Sequence, residues 1–171
     1  MNKFAKAALL VVAAIVAGQL LVRRAPAPEG TGTAAPRLAL ADLGGNAVDL
    51  ERLRGKVVAV NFWATWCPPC RQEMPDLAAV WNEHRGRCFE LLGVAEESAR
   101  EDVAKMASAI PYPVLLDERA EALQQWGVSG YPITFLLDTQ GKVRQVFTGG
   151  VGKRELTDAI RPLLPETCPA S

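Results

Sequence analysis

The chain has 171 residues, which is enough for one ordinary globular domain and short for two. Lysine plus arginine and aspartate plus glutamate each number 19, so the formal net charge is zero. A neutral chain has no long-range field that attracts nucleic acid, and we expect no nucleic-acid partner. Hydrophobic residues make up 49% of the chain, on the rich side of normal, and part of them lies in one N-terminal run.

That N-terminal run has the character of a targeting or anchoring segment. Lys3 and Lys6 precede an uncharged, largely apolar stretch over residues 7–22. At about 1.5 Å per residue, this stretch as a helix spans roughly 24 Å, slightly less than the hydrocarbon layer of a bilayer. A cleaved signal needs a small-x-small site close behind the apolar run, and the nearest one, at residues 25–27, lies beyond two arginines and before a proline. The sequence therefore favours an uncleaved membrane anchor over a cleaved signal.

Residues 23–36 contain no large apolar side chain and consist mainly of alanine, proline, glycine and threonine. Such a composition cannot bury surface and is typical of a flexible spacer. The sequence therefore divides into an N-terminal membrane anchor or signal segment over residues 1–22, a linker over 23–36 and one folded domain over 37–171.

Turn residues and hydrophobic periodicity predict the elements of this domain. The cluster Gly44-Gly45-Asn46 indicates a β-hairpin at its start, and the nearly continuous apolar run over residues 57–63 indicates a central strand buried on both faces. We then expect a helix that follows residue 67, ends by Gly86 and faces the core with Met74, Leu77, Ala78 and Trp81. A helix from a Ser98–Glu101 capping box to residue 109 should follow a strand over 89–95. The remaining predicted elements are a strand over 114–116, a helix over 118–126, strands over 133–137 and 143–147, and a helix over 153–164. Helices that alternate with buried strands predict an α/β fold whose mixed central sheet is covered by helices on both faces.

Two cysteines stand where the predicted central strand ends and the next helix begins, in the motif Cys67-Pro68-Pro69-Cys70. The unpaired amides and the dipole of a helix N-terminus favour a thiolate, so Cys67 is predicted to be a nucleophile. Cys70 lies one turn further in and is predicted to be the resolving thiol. The spacing lets the two sulfurs form a disulfide and exchange two electrons through a mixed disulfide.

Such a cysteine pair can also serve purposes other than redox exchange. A structural zinc site needs a second close pair of ligands, and the remaining candidates, Cys88, Cys168 and the single histidine His84, are isolated in the sequence. We therefore expect no metal site. A peroxidatic cysteine is a further alternative, although peroxide chemistry does not call for a partner cysteine at this spacing.

The residues around the cysteines carry a family resemblance. Residues 60–75 have the sequence Val-Asn-Phe-Trp-Ala-Thr-Trp-Cys-Pro-Pro-Cys-Arg-Gln-Glu-Met-Pro, accompanied by Gly-Tyr-Pro-Ile-Thr-Phe-Leu-Leu-Asp over 130–138 and Gly-Lys-Val over 141–143. Over about residues 37–165 the chain resembles the TlpA/ResA-type membrane-anchored thioredoxin-like thiol–disulfide oxidoreductases. The resemblance implies a thioredoxin fold, here with an extra N-terminal β-hairpin, and no cofactor.

The same resemblance implies a function. It suggests a reductase of disulfide-containing client proteins, such as apocytochrome c or copper-site assembly factors, with a membrane thiol-electron transporter as its reductant. It also implies a single-pass N-terminal anchor in the cytoplasmic membrane and a catalytic domain in the periplasm. Two alternatives remain: an oxidase that uses the same residues in the opposite direction, and a metallochaperone that holds Cu(I) on the two thiolates.

Four residues are assigned to substrate binding. A lone X-Pro bond is trans on base rates, but in thioredoxin-like sheets a cis proline lies against the disulfide and the residue before it offers backbone hydrogen bonds to substrate. By this resemblance Pro132 is expected to be cis, and Tyr131 to bind substrate. Trp66 and Pro68, which flank or belong to the cysteine motif, are expected to contact the partner protein.

The proton partner of Cys70 is a second expectation from the resemblance. Asn61 departs from ordinary thioredoxin, in which a buried aspartate in the corresponding strand position handles protons for the inner cysteine. In the ResA-like branch we expect an acidic residue after the next strand to take this role, and we prefer Glu97, which directly precedes Ser98, while Glu96 stays open. Partial burial would raise the pKa of such a carboxyl group and let it exchange a proton with Cys70. The alternative is that both glutamates are solvated loop acids.

Cys88 and Cys168 are the remaining cysteines. An even number of cysteines in an oxidising compartment suggests pairing. In the predicted topology Cys88 opens the strand after the active-site helix and Cys168 follows the last helix, so both lie at the end of the sheet opposite Cys67. The sequence therefore suggests a structural Cys88–Cys168 disulfide that pins the C-terminal tail. The alternative is a free buried Cys88 and a Cys168 in a disordered tail.

Overall fold

The computed structural model of the chain describes residues 32–168. Its strands are β1 (Ala39–Asp42), β2 (Ala47–Asp49), β3 (Val57–Trp63), β4 (Phe89–Ala95), β5 (Val114–Leu116), β6 (Ile133–Leu137) and β7 (Val143–Thr148). Its helices are α1 (Pro68–His84), α2 (Arg100–Ala107), α3 (Glu121–Gln125) and α4 (Lys153–Ile160), with 3₁₀ turns over Leu50–Leu53 and Arg161–Leu163. The predicted order of strands and α-helices is confirmed.

The strands form one seven-stranded sheet in the order β2-β1-β5-β4-β3-β6-β7. β3 lies inside the sheet, parallel to β4 and antiparallel to β6. Every residue of β3 is buried, which confirms the predicted central strand. Because β4 and β5 are also parallel whereas β1 and β7 pair antiparallel to their neighbours, the sheet is mixed and the predicted fold class is confirmed.

Side chains of β3 point alternately into two cores, one on each face of the sheet. Val58, Val60 and Phe62 pack into the core that also contains residues of α3 and of the N-terminal hairpin region. Val57 and Ala59 pack into the core formed with α1 and α4. Both faces of the sheet are therefore covered, which explains why β3 is apolar along almost its whole length.

The predicted capping box at the start of α2 is wrong. The N-cap is Ala99, whose side chain makes no capping hydrogen bond. The hydroxyl of Ser98 instead donates to the carbonyl of Glu96 (2.8 Å) and accepts the backbone N–H of Thr65 (2.9 Å). Because the hydroxyl is used in this way, Ser98 joins the end of β4 to the segment that precedes the cysteines.

Two helices are shorter than the hydrophobic pattern predicts. α3 begins only after Ala120, whose backbone is left-handed with φ of 53°. The carboxylate of Asp117 accepts the N–H groups of Glu121 and Leu123, each at 3.0 Å, and so caps this helix from outside it. α4 gives way to a 3₁₀ turn in which Pro162 lacks the N–H that an α-helix would need.

Backbone pairing begins before the expected domain boundary. Within residues 32–36, which composition assigns to the linker, the N–H of Ala35 donates to the carbonyl of Gly141 at 3.0 Å. This segment therefore lies along the β6–β7 hairpin. Residues 1–31, which carry the predicted anchor and the rest of the predicted linker, are outside the described residues. Among residues 32–168, no helix is both long and apolar enough to cross a membrane.

A disulfide joins Cys88 to Cys168, with the two sulfurs 1.99 Å apart. Cys88 directly precedes β4, and its carbonyl accepts the N–H of Val57 at the start of β3 (2.8 Å). The bond is thus at the end of the sheet opposite the Cys67 end of β3. Leu163 and Leu164, in the segment that the bond holds, pack partly buried against the core under α1 and α4.

We expect Cys168→Ser to lower the free energy of unfolding by about 4 kcal/mol, because the bond closes a loop with a sequence separation of 80 residues and so restricts the unfolded chain. Urea unfolding of the full-length protein, with Cys67 and Cys70 kept oxidised, measures the loss. Cys88→Ser is the matched control and should show a similar loss, whereas the double variant should add little to either. A Cys168→Ser protein as stable as wild type would contradict a structural role for this bond.

Candidate active site

Cys67 occupies the N-cap of α1, with Pro68 and Pro69 in the first two helical positions. Neither proline has a backbone N–H, so the first amide of the helix that can reach the cysteine sulfur is that of Cys70. This N–H donates to Cys67 Sγ at 3.2 Å. The two cysteines form a disulfide with an S–S distance of 2.02 Å and a Cα–Cα distance of 5.4 Å.

The two cysteines differ in access to solvent. Cys67 is 3% exposed and Cys70 is 0% exposed, and both pack among apolar residues that include Trp63 and Ala95. Of the two, only Cys67 keeps any exposed surface through which another protein could reach it. Cys70 has to react from inside the fold, where charge is poorly solvated.

Trp66 and Tyr131 form an aromatic pair, here called the lip, near the disulfide. The indole of Trp66, which is 57% exposed, meets the ring of Tyr131 edge-on at 5.8 Å, and its N–H donates to the carbonyl of Glu97 at 3.0 Å. The Tyr131–Pro132 peptide bond is cis, as the resemblance implies. A cleft of about 280 Å³ opens next to the lip and is lined by Trp66, Glu97, Leu123, Val128, Ser129, Gly130 and Tyr131.

The structure therefore brings most of the expected site residues to one place. Trp66, Cys67, Pro68 and Cys70 are consecutive or nearly so at the start of α1, and Tyr131 contacts the same apolar cluster as the two cysteines. Pro68 is exposed beside Trp66. The Cys88–Cys168 bond lies at the other end of the sheet and takes no part in this site.

The preference for Glu97 as a buried proton partner is wrong. Glu97 is exposed and has a left-handed backbone, with φ of 45°. Glu96 is 0% exposed, and neither of its carboxyl oxygens has a hydrogen-bond partner. The pKa of Glu96 is raised to about 9, first by burial and next by the charge of Asp117. Of the two neighbouring glutamates, only Glu96 meets the stated condition of burial.

Glu96 also lies close enough to the lip to affect it. Burial raises the pKa of Tyr131, and the charge of Glu96 is the next largest cause. The backbone turns sharply after β4, since Glu96 N–H donates to the carbonyl of Trp63 (2.9 Å) before Glu97 takes its left-handed conformation. A one-residue ambiguity in the sequence thus becomes a difference between a buried and an exposed carboxyl group.

Sequence reasoning missed Glu73, a second buried glutamate. Glu73 follows Cys70 by one helical turn on the same buried face of α1 and is 5% exposed. Its Oε1 accepts from Asn61 Nδ2 and its Oε2 accepts from the N–H of Val151, both at 2.9 Å. Burial raises the pKa of Glu73 to about 7, while hydrogen bonds from Val151 and Asn61 oppose the rise.

The spacing along α1 was the signal that could have revealed Glu73. The expected apolar stripe included Met74, Ala78 and Trp81, but the buried residues are Cys70, Glu73, Leu77, Val80 and His84. These positions follow the i, i+3, i+7 pattern that starts from the inner cysteine. Had Cys70 been taken as the first buried position, Glu73 would have been the next.

A protein-family model described as the AhpC/TSA family matches residues 31–146. The chain belongs to the AhpC/TSA family. Its relatives include the thiol-disulfide oxidoreductase ResA of Geobacillus thermodenitrificans, 34% identical over 136 residues that cover 78% of each chain. ResA of Bacillus subtilis is 32% identical over 136 residues, covering 78% of this chain and 76% of the relative.

Solved structures agree with the fold of this family member. A thiol:disulfide interchange protein of the thioredoxin family from Chlorobium tepidum superimposes with a TM-score of 0.71 at 30% identity, covering 80% of this chain and 99% of that one. The thioredoxin domain of a thiol-disulfide oxidoreductase from Bacteroides vulgatus has the same TM-score at 28% identity, with the same coverage. The TlpA/ResA-type resemblance is confirmed, and the chain is a thiol–disulfide oxidoreductase with a thioredoxin-like fold.

The two buried glutamates predict different dependences of stability on pH. Because burial raises the pKa of Glu73 from 4.5 to about 7, the stability associated with its protonated form is fully present below pH 4.5 and is lost as the pH rises through 7. The loss is at most about 3 kcal/mol. For Glu96 the corresponding loss continues as the pH rises through about 9.

Urea unfolding of the oxidised protein at a series of pH values measures both losses. Glu73→Gln should roughly halve the slope of the fall in stability between pH 4.5 and 7, because Glu96 alone then contributes there, and should keep the fall toward pH 9. Glu96→Gln should flatten the profile toward pH 9 and keep a fall that ends near pH 7. Parallel profiles for wild type and both variants would contradict these pKa shifts.

Proposed function

We propose that this oxidoreductase works outside the cytoplasm as a reductase of protein disulfides, held at the cytoplasmic membrane by residues 1–22. The observation that carries the dithiol part of the proposal is the asymmetry of the cysteine pair, whereas the reducing direction and the location rest on the TlpA/ResA-type resemblance. Cys67 keeps 3% of its surface next to the exposed Trp66 in the chain, whereas Cys70 keeps none. This arrangement suits a nucleophile that meets a folded partner and a second thiol that only ever meets the first.

The proposed reaction starts from the dithiol. The thiolate of Cys67 attacks one sulfur of a client disulfide, the client S–S bond breaks, and its other sulfur leaves as a thiolate that takes a proton. Cys70, once deprotonated, attacks Cys67 Sγ in the resulting mixed disulfide and releases the second client sulfur. The client gains two electrons and two protons, and the Cys67–Cys70 disulfide forms.

The second step needs a base, because Cys70 loses its proton in an apolar interior. Glu73 lies one turn along α1 from Cys70, and with a pKa of about 7 it is ionised in a large fraction of molecules near neutral pH. Glu96, with a pKa of about 9, stays protonated there and cannot accept a proton. We therefore assign the proton acceptor to Glu73, in place of the expected Glu97.

The electron source and the clients are proposed from the TlpA/ResA-type resemblance. A membrane thiol-electron transporter would return the Cys67–Cys70 disulfide to the dithiol, and the anchor would hold the domain near it. Clients would be proteins whose cysteines must be reduced before a cofactor is attached, such as apocytochrome c or copper-site assembly factors.

The midpoint potential of the Cys67/Cys70 couple decides between reductase and oxidase. Equilibration of the purified protein with glutathione buffers, read by thiol trapping, should place the couple near the thioredoxin value of about −270 mV. Cys168→Ser is the control for the second disulfide and should leave the potential unchanged. A potential near −120 mV, as in strong dithiol oxidases, would instead indicate that the protein oxidises its clients.

The assigned roles of the two cysteines predict different trapped products. Incubated with a client disulfide, reduced Cys70→Ser should accumulate a mixed disulfide through Cys67, because no thiol remains to resolve it. Cys67→Ser should form none. Both variants should lose insulin-reduction turnover by on the order of 100-fold or more. Retention of turnover in either variant would overturn the dithiol mechanism.

A further inference from the structure

The geometry points to Asn61 as a positioning residue that serves Glu73 in both of its protonation states, donating to the carboxylate and, after a half-turn of its amide, accepting from the carboxylic acid. This inference rests on the proposed function, in which Glu73 gains and loses a proton in each cycle. It concerns a strand residue that touches neither cysteine in the hydrogen-bond network and acts only through Glu73.

Only the nitrogen of the Asn61 side-chain amide makes hydrogen bonds. Asn61 lies in β3 and is 1% exposed. Its Nδ2 donates to Glu73 Oε1 and to Thr134 Oγ1, both at 2.9 Å, so both amide hydrogens are used. Its Oδ1 is buried and has no hydrogen-bond partner. An unpartnered buried acceptor is costly, and its persistence here calls for a reason.

The partners of Glu73 supply that reason. With Asn61 on Oε1 and the N–H of Val151 on Oε2, each oxygen of the ionised carboxylate accepts a hydrogen bond. When Glu73 takes up a proton, one of its oxygens becomes a donor. The Val151 N–H is a backbone donor and cannot accept that proton. If the proton is on Oε1, it faces a second donor, Nδ2 of Asn61, and the contact becomes unfavourable.

A half-turn of the amide resolves this conflict. It exchanges the positions of Oδ1 and Nδ2, so that Oδ1 of Asn61 accepts the proton of Glu73. The hydroxyl of Thr134 can either accept from Nδ2 or donate to Oδ1, so it suits both orientations. Each orientation leaves one amide atom of Asn61 without a partner. This atom is Oδ1 in the orientation observed and Nδ2 after the half-turn, so neither orientation satisfies the whole amide.

Among the described residues, no other side chain near Glu73 can both donate to its carboxylate and accept from its protonated form. Tyr112 is the titratable group whose pKa the charge of Glu73 raises, but its buried hydroxyl makes no hydrogen bond. No Lys, Arg or His of residues 32–168 forms an ion pair with Glu73; Lys153, in the neighbouring α4, pairs with Glu83 at 3.0 Å. On α1 itself the nearest titratable group along the buried face is Cys70. Asn61 is therefore the only side chain within residues 32–168 that is hydrogen-bonded to Glu73.

The side-chain chemistry at position 61 is restrictive under this inference. An aspartate could accept the proton of Glu73 but would place a second negative charge beside the carboxylate. A leucine could do neither. An amide is neutral and carries both a donor and an acceptor, so it can follow the carboxyl group through the whole proton cycle.

The orientation of the Asn61 amide tests the inference directly. In the full-length oxidised protein, solubilised in detergent, nuclear Overhauser contacts from the Asn61 amide hydrogens to the Thr134 methyl and Glu73 methylene groups should be strong above the pH at which Glu73 ionises. They should weaken as the pH falls through that point. In Glu73→Gln, whose amide can donate as the protonated acid does, the weak pattern should persist at every pH.

A second measurement separates positioning from packing alone. A double-mutant cycle between Asn61→Leu and Glu73→Leu, measured by urea unfolding, should give a coupling energy of the same sign at pH 5 and at pH 9. Coupling confined to pH 9 would show that Asn61 serves only the carboxylate, and absent coupling would show that it only packs. Either result, or an unchanging amide orientation in wild type, overturns the inference.

These experiments need no turnover and no client. If they fail while the couple is reducing and Cys70→Ser traps a mixed disulfide, the inference about Asn61 falls and the proposed function stands. Thr134→Val is the matched control: it removes a partner that is present in both orientations, and the pH at which the Asn61 amide turns should be unchanged.

Discussion

The pairing of β3 between β4 and β6 is the constraint on which the rest of the structure depends. β3 is paired along both edges and covered on both faces, so nearly all of its side chains have to be apolar. Its single polar side chain, Asn61, has to find hydrogen-bond partners inside the protein. The same strand ends at Trp63, a few residues before Cys67, and so fixes where α1 begins. Its antiparallel neighbour β6 starts directly after Pro132 and brings Tyr131 to the same edge.

Burial alone does not decide what a carboxyl group can do at this edge. Glu73 and Glu96 are both buried, but Glu73 accepts two N–H groups while Glu96 accepts none. Hydrogen bonds to the charged form oppose the desolvation that raises the pKa of Glu73 to about 7. At Glu96 the charge of Asp117 adds to desolvation, and the pKa rises to about 9. Two residues of one type therefore differ in whether their carboxyl groups are ionised near neutral pH.

The two disulfides also differ in how much of the chain each one holds in place. Cys67 and Cys70 are three residues apart in sequence, at the start of α1. Cys88 and Cys168 are 80 residues apart, and their bond holds the C-terminal segment against the end of the sheet. Breaking the first frees almost no chain, whereas breaking the second releases a tail. A chain can therefore cycle one bond while keeping the other.

The sequence by itself determined the order of the elements, the ends of β3 and the cysteine pair at a helix start, because these follow from local periodicity and turn chemistry. It did not determine which acids are buried. Glu73 faces inward because Cys70, not Met74, begins the buried stripe of α1. Glu96 is still paired with Trp63 of β3 and is buried, whereas Glu97 has a left-handed backbone and is exposed. Burial, hydrogen-bond partners and hence pKa values depend on residues distant in the chain, and only the tertiary structure brings those together.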